Sequence, residues 1–386
     1  MRITNIIAGL GGGGAERVCI NLANAWAERG FDVTILTVAQ GTGPPAYTID
    51  LRVRRRDITG RRAGPEELNL DSITPILRGL YRVACFEIIG EMPLLAILRH
   101  AILATAPDVV VAHIDLTNVR VLAAMHETGI PVIACEQTDV RRFTIGSWQD
   151  TREALYRRAS AVVAPHPAIA AWLAHRGARA YAIPNLLWPP QTIGIERGQE
   201  ERRRLVTLAR LSPEKRVDLI VHAFAKIAGD FPEWDLDVYG EGPLRDSIAK
   251  LIDELAPGRV RLRGFTNDAY DVLRGADLFV SASWLEGFGN AIWEALACGV
   301  PVVALEAGPA VRSLVRDGID GLIVSGDGPE ALSSALASLM WNEPARRALA
   351  SRARDVLERF SVDAALRKWD ALLEEVLSRC RAHALA

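Results

Sequence analysis

Short, wholly apolar runs alternate along the first half of the chain with segments in which apolar residues recur at helical spacing. In the first forty residues, an apolar run, a glycine-rich turn, a helical stripe and a second apolar run follow one another. Strands that are apolar throughout are typical of parallel sheets with helices on both faces. We therefore predict a parallel α/β domain. Its predicted strands are 3–10, 33–38, 107–111, 131–135 and 161–164, and its first predicted helix is 15–29.

The pattern breaks after this domain and then starts again. A Trp-Pro-Pro sequence at 188–190 and a polar run up to Arg204 are typical of a linker. The sequence thus predicts two Rossmann-like domains in tandem, at 1–188 and 200–361, followed by an amphipathic C-terminal helix and tail at 362–386. The second set of predicted strands is 205–208, 236–239, 260–263, 278–282, 301–305 and 321–324.

Composition narrows the class of protein. The chain has 386 residues, 49% of them apolar, and its net charge of −2 gives no sign of a nucleic-acid-binding surface. Its five cysteines are widely spaced without a C-x-x-C pair, which argues against a disulfide framework or a structural zinc site. No apolar run reaches the roughly 20 residues of a membrane helix. The apolar run at 3–10 is not followed by the cleavage site of a signal peptide. We expect a soluble, cytoplasmic protein.

A glycine-rich turn follows the first predicted strand. Residues 9–14 satisfy the G-x-G-x-x-G pattern, which indicates a dinucleotide site when it lies between a strand and a helix. Such sites also need an acidic residue near the end of the second strand, where this chain has Val38, Ala39 and Gln40. An NAD-dependent oxidoreductase is therefore the disfavoured alternative. A tight structural turn and a backbone surface for a ligand both stay open.

Two cations flank the corresponding turn of the second domain. Arg210 and Lys215 lie between a predicted strand and a helix for which Ser212 is the expected N-cap. A pair of cations beside a helix N-terminus suits a diphosphate. The alternative is that both are solvated surface charges.

The densest chemical pattern spans 283–298. Glu286 lies in a loop, and Glu294 lies inside the following helix, which Asn290 is expected to cap. Carboxylates beside phosphate are costly, so we expect both to accept hydrogen bonds from sugar or ribose hydroxyls. A solvent-facing position is the competing interpretation for Glu294. The Asp-x-Asp pair at 235–237 is interpreted as an edge-strand pair, and no metal site is expected.

In this order and at these separations, the motifs resemble the retaining glycosyltransferases of family 4, which have a GT-B fold and an E-x7-E signature. The resemblance covers nearly the whole chain. It is carried by GGGGAER at 11–17, RLSPEK at 210–215, YGEGPL at 239–244, EGFGN at 286–290, EALACGVPVV at 294–303 and DGIDGL at 317–322.

The resemblance implies an α/β protein with two Rossmann-like domains that face each other across a cleft and a C-terminal helix that crosses back to the first domain. It implies retaining transfer of a hexose or N-acetylhexosamine from a nucleotide sugar, with UDP favoured over GDP, to a glycan or lipid-linked acceptor of cell-surface polysaccharide or glycolipid biosynthesis. No cofactor and no metal ion are expected. A non-catalytic nucleotide-sugar-binding protein would keep the same residues and stays open.

The resemblance also implies a role for each motif. Arg210 and Lys215 would neutralise the departing diphosphate, Glu286 would hold a hydroxyl of the transferred sugar, and Glu294 would hold the donor ribose. The remaining expected contacts are the 287–290 segment for the diphosphate (Gly287, Phe288, Gly289 and Asn290), Gly240, Gly264 and Phe265 for the nucleobase, and Gly12 and Gly13 for the gap between donor and acceptor.

The chain departs from the family at one position. Many relatives have a histidine just after the strand predicted at 131–135, where this chain has Glu136 and Gln137. His113, after the preceding strand, is the candidate catalytic substitute, and Gln137 is a candidate substrate contact. A lone histidine at a strand end is also typical of a structural role, so both interpretations of His113 stay open.

A run of arginines at 52–62 raises the question of a membrane. Six arginines in eleven residues are suited to anionic lipid head groups, and many relatives work at a membrane face. Peripheral contact with the cytosolic face of a membrane is one interpretation, and a solvated surface loop is the other. No nucleic-acid partner is expected.

Overall fold

The computed structural model describes residues 1–39, 43–82, 90–192 and 202–385. Gln40, one of the five cysteines (Cys85) and most of the predicted linker (193–201) lie outside these ranges. The chain forms two units, one of Met1–Leu186 with Asp363–Ala386 and the other of Leu187–Val362. Each unit contains a parallel sheet flanked by helices, which confirms the predicted pair of Rossmann-like domains.

The sheet of the first unit has seven described strands in the order β3-β2-β1-β4-β5-β6-β7, all parallel. The chain leaves β1 in one direction and returns to its other side at β4, so the switch point of this sheet lies between β1 and β4. The strands are β1 Arg2–Ile7, β2 Asp32–Thr37, β3 Arg54–Asp57, β4 Val109–His113, β5 Val132–Cys135, β6 Ala161–Ala164 and β7 Ala180–Ala182. The helices are α1 Gly14–Glu28, α2 Leu70–Arg82, α3 Met92–Leu103, α4 Asp115–Ala124, α5 Gln149–Tyr156 and α6 Pro167–His175.

The last helix packs on this first unit. It spans Val362–Leu385 and is α15 in chain order. Trp369 meets Trp26 of α1 edge to face, with ring centroids 5.5 Å apart, and Arg29 donates two hydrogen bonds of 2.7 Å to Asp370. Both tryptophans are buried. The expected return of the C-terminal helix to the first domain is confirmed.

The sheet of the second unit has six described strands in the order β10-β9-β8-β11-β12-β13, again parallel. Its switch point lies between β8 and β11. The strands are β8 Arg203–Leu208, β9 Trp234–Tyr239, β10 Val260–Gly264, β11 Leu278–Ser281, β12 Val302–Leu305 and β13 Gly321–Val324. The helices are α7 Val217–Ile227, α8 Arg245–Leu255, α9 Ala269–Arg274, α10 Asn290–Ala297, α11 Pro309–Leu314, α12 Pro329–Trp341, α13 Glu343–Ala353 and α14 Val356–Arg359.

The predicted strands are confirmed, with ends that differ by up to three residues. The arginine run at 52–62 is not simply a surface loop, because part of it forms a strand. Arg54–Asp57 is β3, an exposed edge strand that pairs with β2 in register. A strand whose side chains are all exposed has no apolar pattern, so periodicity could not find it. Three arginines of the run pair with carboxylates: Arg52 with Asp50, Arg54 with Asp32 and Arg61 with Glu67.

The interpretation of the Asp-x-Asp pair as an edge pair is wrong. Asp235 and Asp237 lie on β9, which has β10 and β8 on its two sides, and both are buried. Three arginines surround Asp235, while Arg263 pairs with Asp237 at 2.8 Å. Guanidinium groups satisfy these carboxylates, which explains how two charges fit inside a sheet.

Among the described residues, no helix combines the length and the apolar character that a bilayer crossing requires.

Candidate functional site

The candidate site of the second unit lies at the carboxyl edge of its sheet. The loops that carry the predicted residues follow β8, β9, β10 and β11, so all of them emerge at the same edge. In open parallel sheets, ligands bind outside the carboxyl ends of the strands at the switch point. Here that point lies between β8 and β11, the strands that precede Lys215 and Glu286.

Lys215 and Glu286 form an ion pair at this switch point. The Lys215 Nζ donates to Glu286 Oε1 across 2.6 Å, and the side chains are 24% and 13% exposed. A second contact joins the same loops, because the amide of Trp284 donates to the carbonyl of Glu214 across 3.1 Å. The ammonium group is therefore held in place by two loops from different strands.

The turn that carries Lys215 differs from its predicted form. Pro213–Lys215 is a single 3-10 turn, Arg216 adopts left-handed backbone angles with φ of 48°, and α7 begins only at Val217. The Ser212 hydroxyl bonds to the Glu214 carboxylate rather than to a helix amide, so the expected side-chain cap is wrong. Left-handed angles are uncommon for arginine, and here they end the turn and re-aim the chain into the helix. Arg210 is exposed on the same loop.

The segment 287–294 builds the start of α10. Gly289, with φ of 96°, is the N-cap, and Asn290 is the first helical residue, so the expected cap at Asn290 is wrong. A side chain at Gly289 would meet these unfavourable angles and lie 3.1 Å from Leu314. Phe288 is buried and packs edge to face on Phe360 with centroids 5.5 Å apart, so its backbone rather than its ring is available to a ligand. Glu294 is buried one turn inside the helix.

The candidate nucleobase residues also lie together. The Gly240 amide donates to the carbonyl of Gly264 across 2.8 Å, which joins the ends of β9 and β10. Gly240 has φ of 140°, and a β-carbon there would lie 1.9 Å from the carbonyl oxygen of Ala209. Glycine is therefore required where this loop passes the end of β8. Phe265 follows Gly264 and exposes 42% of its surface, so its ring is free to stack on a base.

The DGIDGL motif at 317–322 shapes the fold. Asp320 is fully buried and accepts hydrogen bonds from the amide and the guanidinium of Arg316, at 2.7 and 2.6 Å. Asp317 accepts from the amide of Ile323 at 2.8 Å. These contacts form the turn that enters β13. The motif therefore supports the sheet next to the site.

The other predicted residues lie in the first unit, near the carboxyl edge of its sheet. Gly13 is the N-cap of α1 in extended backbone angles, and Gly12 is exposed beside it. His113 ends β4, and Gln137 follows β5. His113 and Gln137 line one small cavity of about 10 Å³, which leaves room for at most one water molecule.

His113 itself is fully buried. Its Nε2 lies 3.2 Å from Asn5 Oδ1, and its Nδ1 has no partner among the described residues. Burial lowers the pKa of His113 to about 3, so the imidazole is neutral near pH 7. It accepts or donates a hydrogen bond in the cavity without carrying charge.

The sequence identified Glu136 but not the polar side chains that surround it beneath Gln137. Tyr156 of α5 donates its hydroxyl hydrogen to Glu136 Oε1, and Asn118 donates to that hydroxyl oxygen across 3.1 Å. Arg152 Nη1 lies 3.9 Å from the same carboxylate oxygen, and all four side chains are buried. Burial raises the pKa of Glu136 to about 7. The four-residue spacing of Arg152 and Tyr156 on a helix is the signal that could have indicated them.

Two protein-family models together match most of the chain. A family model described as glycosyl transferases group 1 matches residues 192–356, and one described as a glycosyl transferase 4-like domain matches residues 13–185. This chain belongs to the GT-B glycosyltransferases. The two matches meet near the boundary between the two units and leave the last helix outside both.

Two curated relatives that match most of this GT-B glycosyltransferase are each less than 30% identical to it. An exopolysaccharide phosphotransferase of Streptomyces coelicolor is 28% identical over 95% of the chain and 40% of its own length. The chain spans less than half the length of the first curated relatives it matches. The lipopolysaccharide core biosynthesis glycosyltransferase LpsE of Rhizobium meliloti is 26% identical over 92% of the chain and 94% of that protein.

A solved structure shares the fold. Anabaena HepE, in complex with UDP and glucose, superimposes with a TM-score of 0.76 at 20% identity over 96% of this chain and 99% of that one. At this identity the likeness bears on the fold alone.

Proposed function

We propose that this chain transfers a hexose or N-acetylhexosamine from a UDP-sugar to a glycan or lipid-linked acceptor. The observation that carries the proposal is the Lys215–Glu286 ion pair at the switch point of the second unit. It holds a cation for a diphosphate next to a carboxylate for a sugar hydroxyl, in a GT-B glycosyltransferase domain. The UDP and glucose bound to HepE, a protein of the same fold, favour UDP as the nucleotide.

Lys215 and Arg210 would stabilise the negative charge that builds on the diphosphate as its bond to the sugar breaks. Stabilisation of a leaving group by fixed charges is a large contribution to catalysis because the charges need no reorganisation. The backbone amides near Gly289, at the start of α10, would add partial positive charge. Glu286 would orient a sugar hydroxyl, and Glu294 would bind the ribose.

We assign the chain to the retaining enzymes of family 4. In the proposed reaction, the anomeric carbon loses its bond to the diphosphate oxygen and gains one to the acceptor oxygen on the same face. A phosphate oxygen of the leaving UDP takes the acceptor's proton, so charge and atoms balance without a protein base. This chemistry fits a neutral, buried His113, for which we propose a positioning role next to Gln137.

We assign donor binding to 200–361 and acceptor binding to 1–188, with 362–386 as the helix that packs on the acceptor domain. Residues 200, 201 and 386 lie outside the described part of the chain. The named roles of two relatives, in exopolysaccharide and in lipopolysaccharide core biosynthesis, favour a cell-surface glycan or glycolipid acceptor. We further propose a cytoplasmic location with peripheral contact at the membrane, where such acceptors are anchored.

Ligand-dependent stability tests the donor site. UDP, GDP, ADP and NAD are compared by thermal unfolding, with and without a chelator. A ligand at about a hundred times its dissociation constant adds about 2.7 kcal/mol to the free energy of unfolding. Stabilisation by UDP that is unchanged by chelator supports the proposal, whereas stabilisation by NAD alone contradicts it.

Transfer itself separates an enzyme from a binding protein. UDP-glucose and UDP-N-acetylglucosamine are incubated with lipid-extracted glycan acceptors, and the anomeric proton of the product is read by NMR. An α-linked product from these α-linked donors means retention, and a β-linked product would overturn that assignment. Binding of UDP without turnover of any donor would favour the non-catalytic alternative.

A further inference from the structure

The polar residues at the carboxyl edge of the first sheet lie at different depths. His113 is level with Cys135 of β5, which is level with Val163 of β6. His166 follows Val163 by three residues. At about 3.3 Å per extended residue, it lies up to about 10 Å beyond the level of His113. His113 is fully buried, whereas His166 and Gln137 are half-buried. Of these two histidines, only His166 is accessible to a dissolved ligand.

His166 is the N-cap of α6, and this role fixes the position of the hydrogen on its ring. Its Nδ1 accepts a hydrogen bond from the amide of Ala168 across 3.1 Å. A ring nitrogen that accepts carries no hydrogen, so the neutral imidazole has its hydrogen on Nε2. Nε2 has no hydrogen-bond partner in the described part of the chain. Serine is a preferred residue for capping a helix, whereas this histidine supplies the cap and, in addition, an N–H donor.

Arg141 and Asp139, on the loop after β5, act on the ring of His166. Burial and the nearby Arg141 lower the pKa of His166 below its ordinary value, and Asp139 opposes this effect. Arg141 donates two hydrogen bonds to Asp139, at 2.8 and 2.6 Å, so the pair carries no net charge. Protonation would also place a hydrogen on Nδ1 and break its bond with the helix amide. The ring is therefore a neutral donor near pH 7, and a neutral donor suits a sugar hydroxyl rather than a phosphate.

A small cavity borders the residue that precedes His166. Pro165, His113 and Gln137 all contribute to its wall. The Nδ1 atom of His113 is buried and has no partner among the described residues. Buried polar atoms are normally paired, by water or by a ligand where the protein supplies no partner. A half-buried N–H donor, a half-buried amide and an unsatisfied buried nitrogen therefore occur together at the sheet edge where α/β proteins bind ligands.

We propose that His166 binds the acceptor: its Nε2–H donates a hydrogen bond to a hydroxyl oxygen of the acceptor sugar, next to Gln137. The hydroxyl is one that does not react, because an N–H bonded to the attacking oxygen would reduce the electron density that the attack needs. The ring orients the acceptor and brings no charge to it. The inference rests on the proposed function, since it names an acceptor contact for the transfer reaction.

Two substitutions separate the ring from the cap. His166→Ser keeps a side chain that caps α6 and removes the Nε2 donor, whereas His166→Ala removes both. His175→Ser is the matched control, because His175 is an exposed histidine at the other end of the same helix. Thermal unfolding should give a lower midpoint for His166→Ala than for His166→Ser, which shows that serine keeps the cap.

Steady-state kinetics measure transfer from UDP-glucose and UDP-N-acetylglucosamine to octyl glucoside, octyl galactoside and lipid-extracted glycans. The KM for the acceptor should rise about 5- to 10-fold in both His166 variants, the effect of one lost hydrogen bond, with kcat nearly unchanged. His175→Ser should keep the parent's KM, and the KM for the UDP-sugar should not change in any variant. An acceptor KM that rises in His166→Ala alone would mean that only the cap matters, and it would overturn the proposal.

Deoxy acceptors test for a direct contact. Octyl glycosides that each lack one non-reacting hydroxyl are compared in the parent and in His166→Ser. Removal of the hydroxyl that His166 contacts should raise the parent's KM by a similar factor. It should leave the KM of His166→Ser nearly unchanged, because that bond is already lost. Equal losses in both proteins for every deoxy acceptor would contradict a contact between the ring and an acceptor hydroxyl.

UDP-dependent stabilisation, measured on every variant, reports the second unit independently of the acceptor. Transfer by the parent, with an acceptor KM that His166→Ser leaves unchanged, overturns this inference and leaves the proposed function standing. A parent that transfers sugar to none of these acceptors overturns the proposed function and, with it, the inference.

Discussion

Lys215 and Glu286 are 71 residues apart in the chain, yet the lysine Nζ lies 2.6 Å from the glutamate Oε1. The contact exists because β8 and β11 are neighbours at the switch point of the second sheet, so the loops that follow them meet. The ion pair fixes a cation and a carboxylate before any donor arrives. Such fixed groups stabilise developing charge without the cost of reorganisation.

Lys215→Ala should lower kcat for sugar transfer about 10²-fold, the usual effect of losing one fixed charge at a reacting centre. Lys226→Ala is the matched control, because Lys226 is an exposed lysine of the following helix that pairs with the exposed Glu330. Steady-state kinetics with a UDP-sugar measure both. Equal activities of the two variants would remove Lys215 from the proposed mechanism.

Glu294→Ala should weaken UDP binding by about 10- to 100-fold, the effect of losing a hydrogen bond to a charged group. The reason is that the buried carboxylate is proposed to accept from the ribose. Calorimetric titration with UDP and with uracil alone measures the change. Uracil binding should stay as it is in the parent, since the base is proposed to contact other residues. Glu330→Ala, at an exposed glutamate, serves as the control.

Gly240→Ala should destabilise the second unit and abolish UDP stabilisation. A β-carbon at this position meets the carbonyl oxygen of Ala209 at 1.9 Å, in addition to the cost of φ at 140°. Gly258→Ala separates the two effects, because Gly258 has φ of 75° and open space around it. Chemical denaturation should give a loss of about 1 kcal/mol for Gly258→Ala and at least about 2 kcal/mol for Gly240→Ala. Similar losses for both would mean that the loop yields easily.

The free energy of unfolding of the Glu136→Gln variant should increase relative to that of the parent as pH rises. Burial raises the pKa of Glu136 from 4.5 to about 7, so the folded state prefers the protonated form. The contribution of Glu136 to the free energy of unfolding is fully present below pH 4.5, and it is lost as pH rises through about 7. Glutamine does not ionise, so the free energy of unfolding of the variant should gain up to about 3 kcal/mol on the parent over this range. Denaturation at several pH values measures the difference, and a constant difference would contradict the assigned pKa.

His113→Gln should change stability in the opposite pH range. Burial lowers the pKa of His113 from 6.5 to about 3, so the folded state prefers the neutral imidazole. The contribution of the neutral His113 to the free energy of unfolding is fully present above pH 6.5, and it is lost as pH falls towards 3. The variant should therefore lose less stability than the parent on acidification. If His113 is a positioning residue, the pH profile of kcat keeps its shape in the variant while its height falls.

The sequence motifs identified most of the candidate donor site because each is a local feature of a strand, a loop and a helix start. Glycines at 240, 264 and 289 mark places where the backbone turns sharply or passes close to another loop, and each adopts a positive φ. The helix starts were less predictable. The cap of α10 is Gly289 rather than Asn290, and α7 begins after a left-handed Arg216, because the tertiary contacts of the loops decide between nearly equivalent starts.

The sequence by itself determined the two parallel-sheet domains, the return of the last helix and the residue types of the candidate donor site. The spacing of apolar residues, the positions of glycines and the order of the motifs can be read along the chain, because each depends on neighbouring residues only. Only the tertiary structure decided that Lys215 contacts Glu286, that His113 is buried and neutral, and that Tyr156 donates to the buried Glu136. Those outcomes depend on strand order and on burial, which bring distant residues together and set the dielectric environment around each charge.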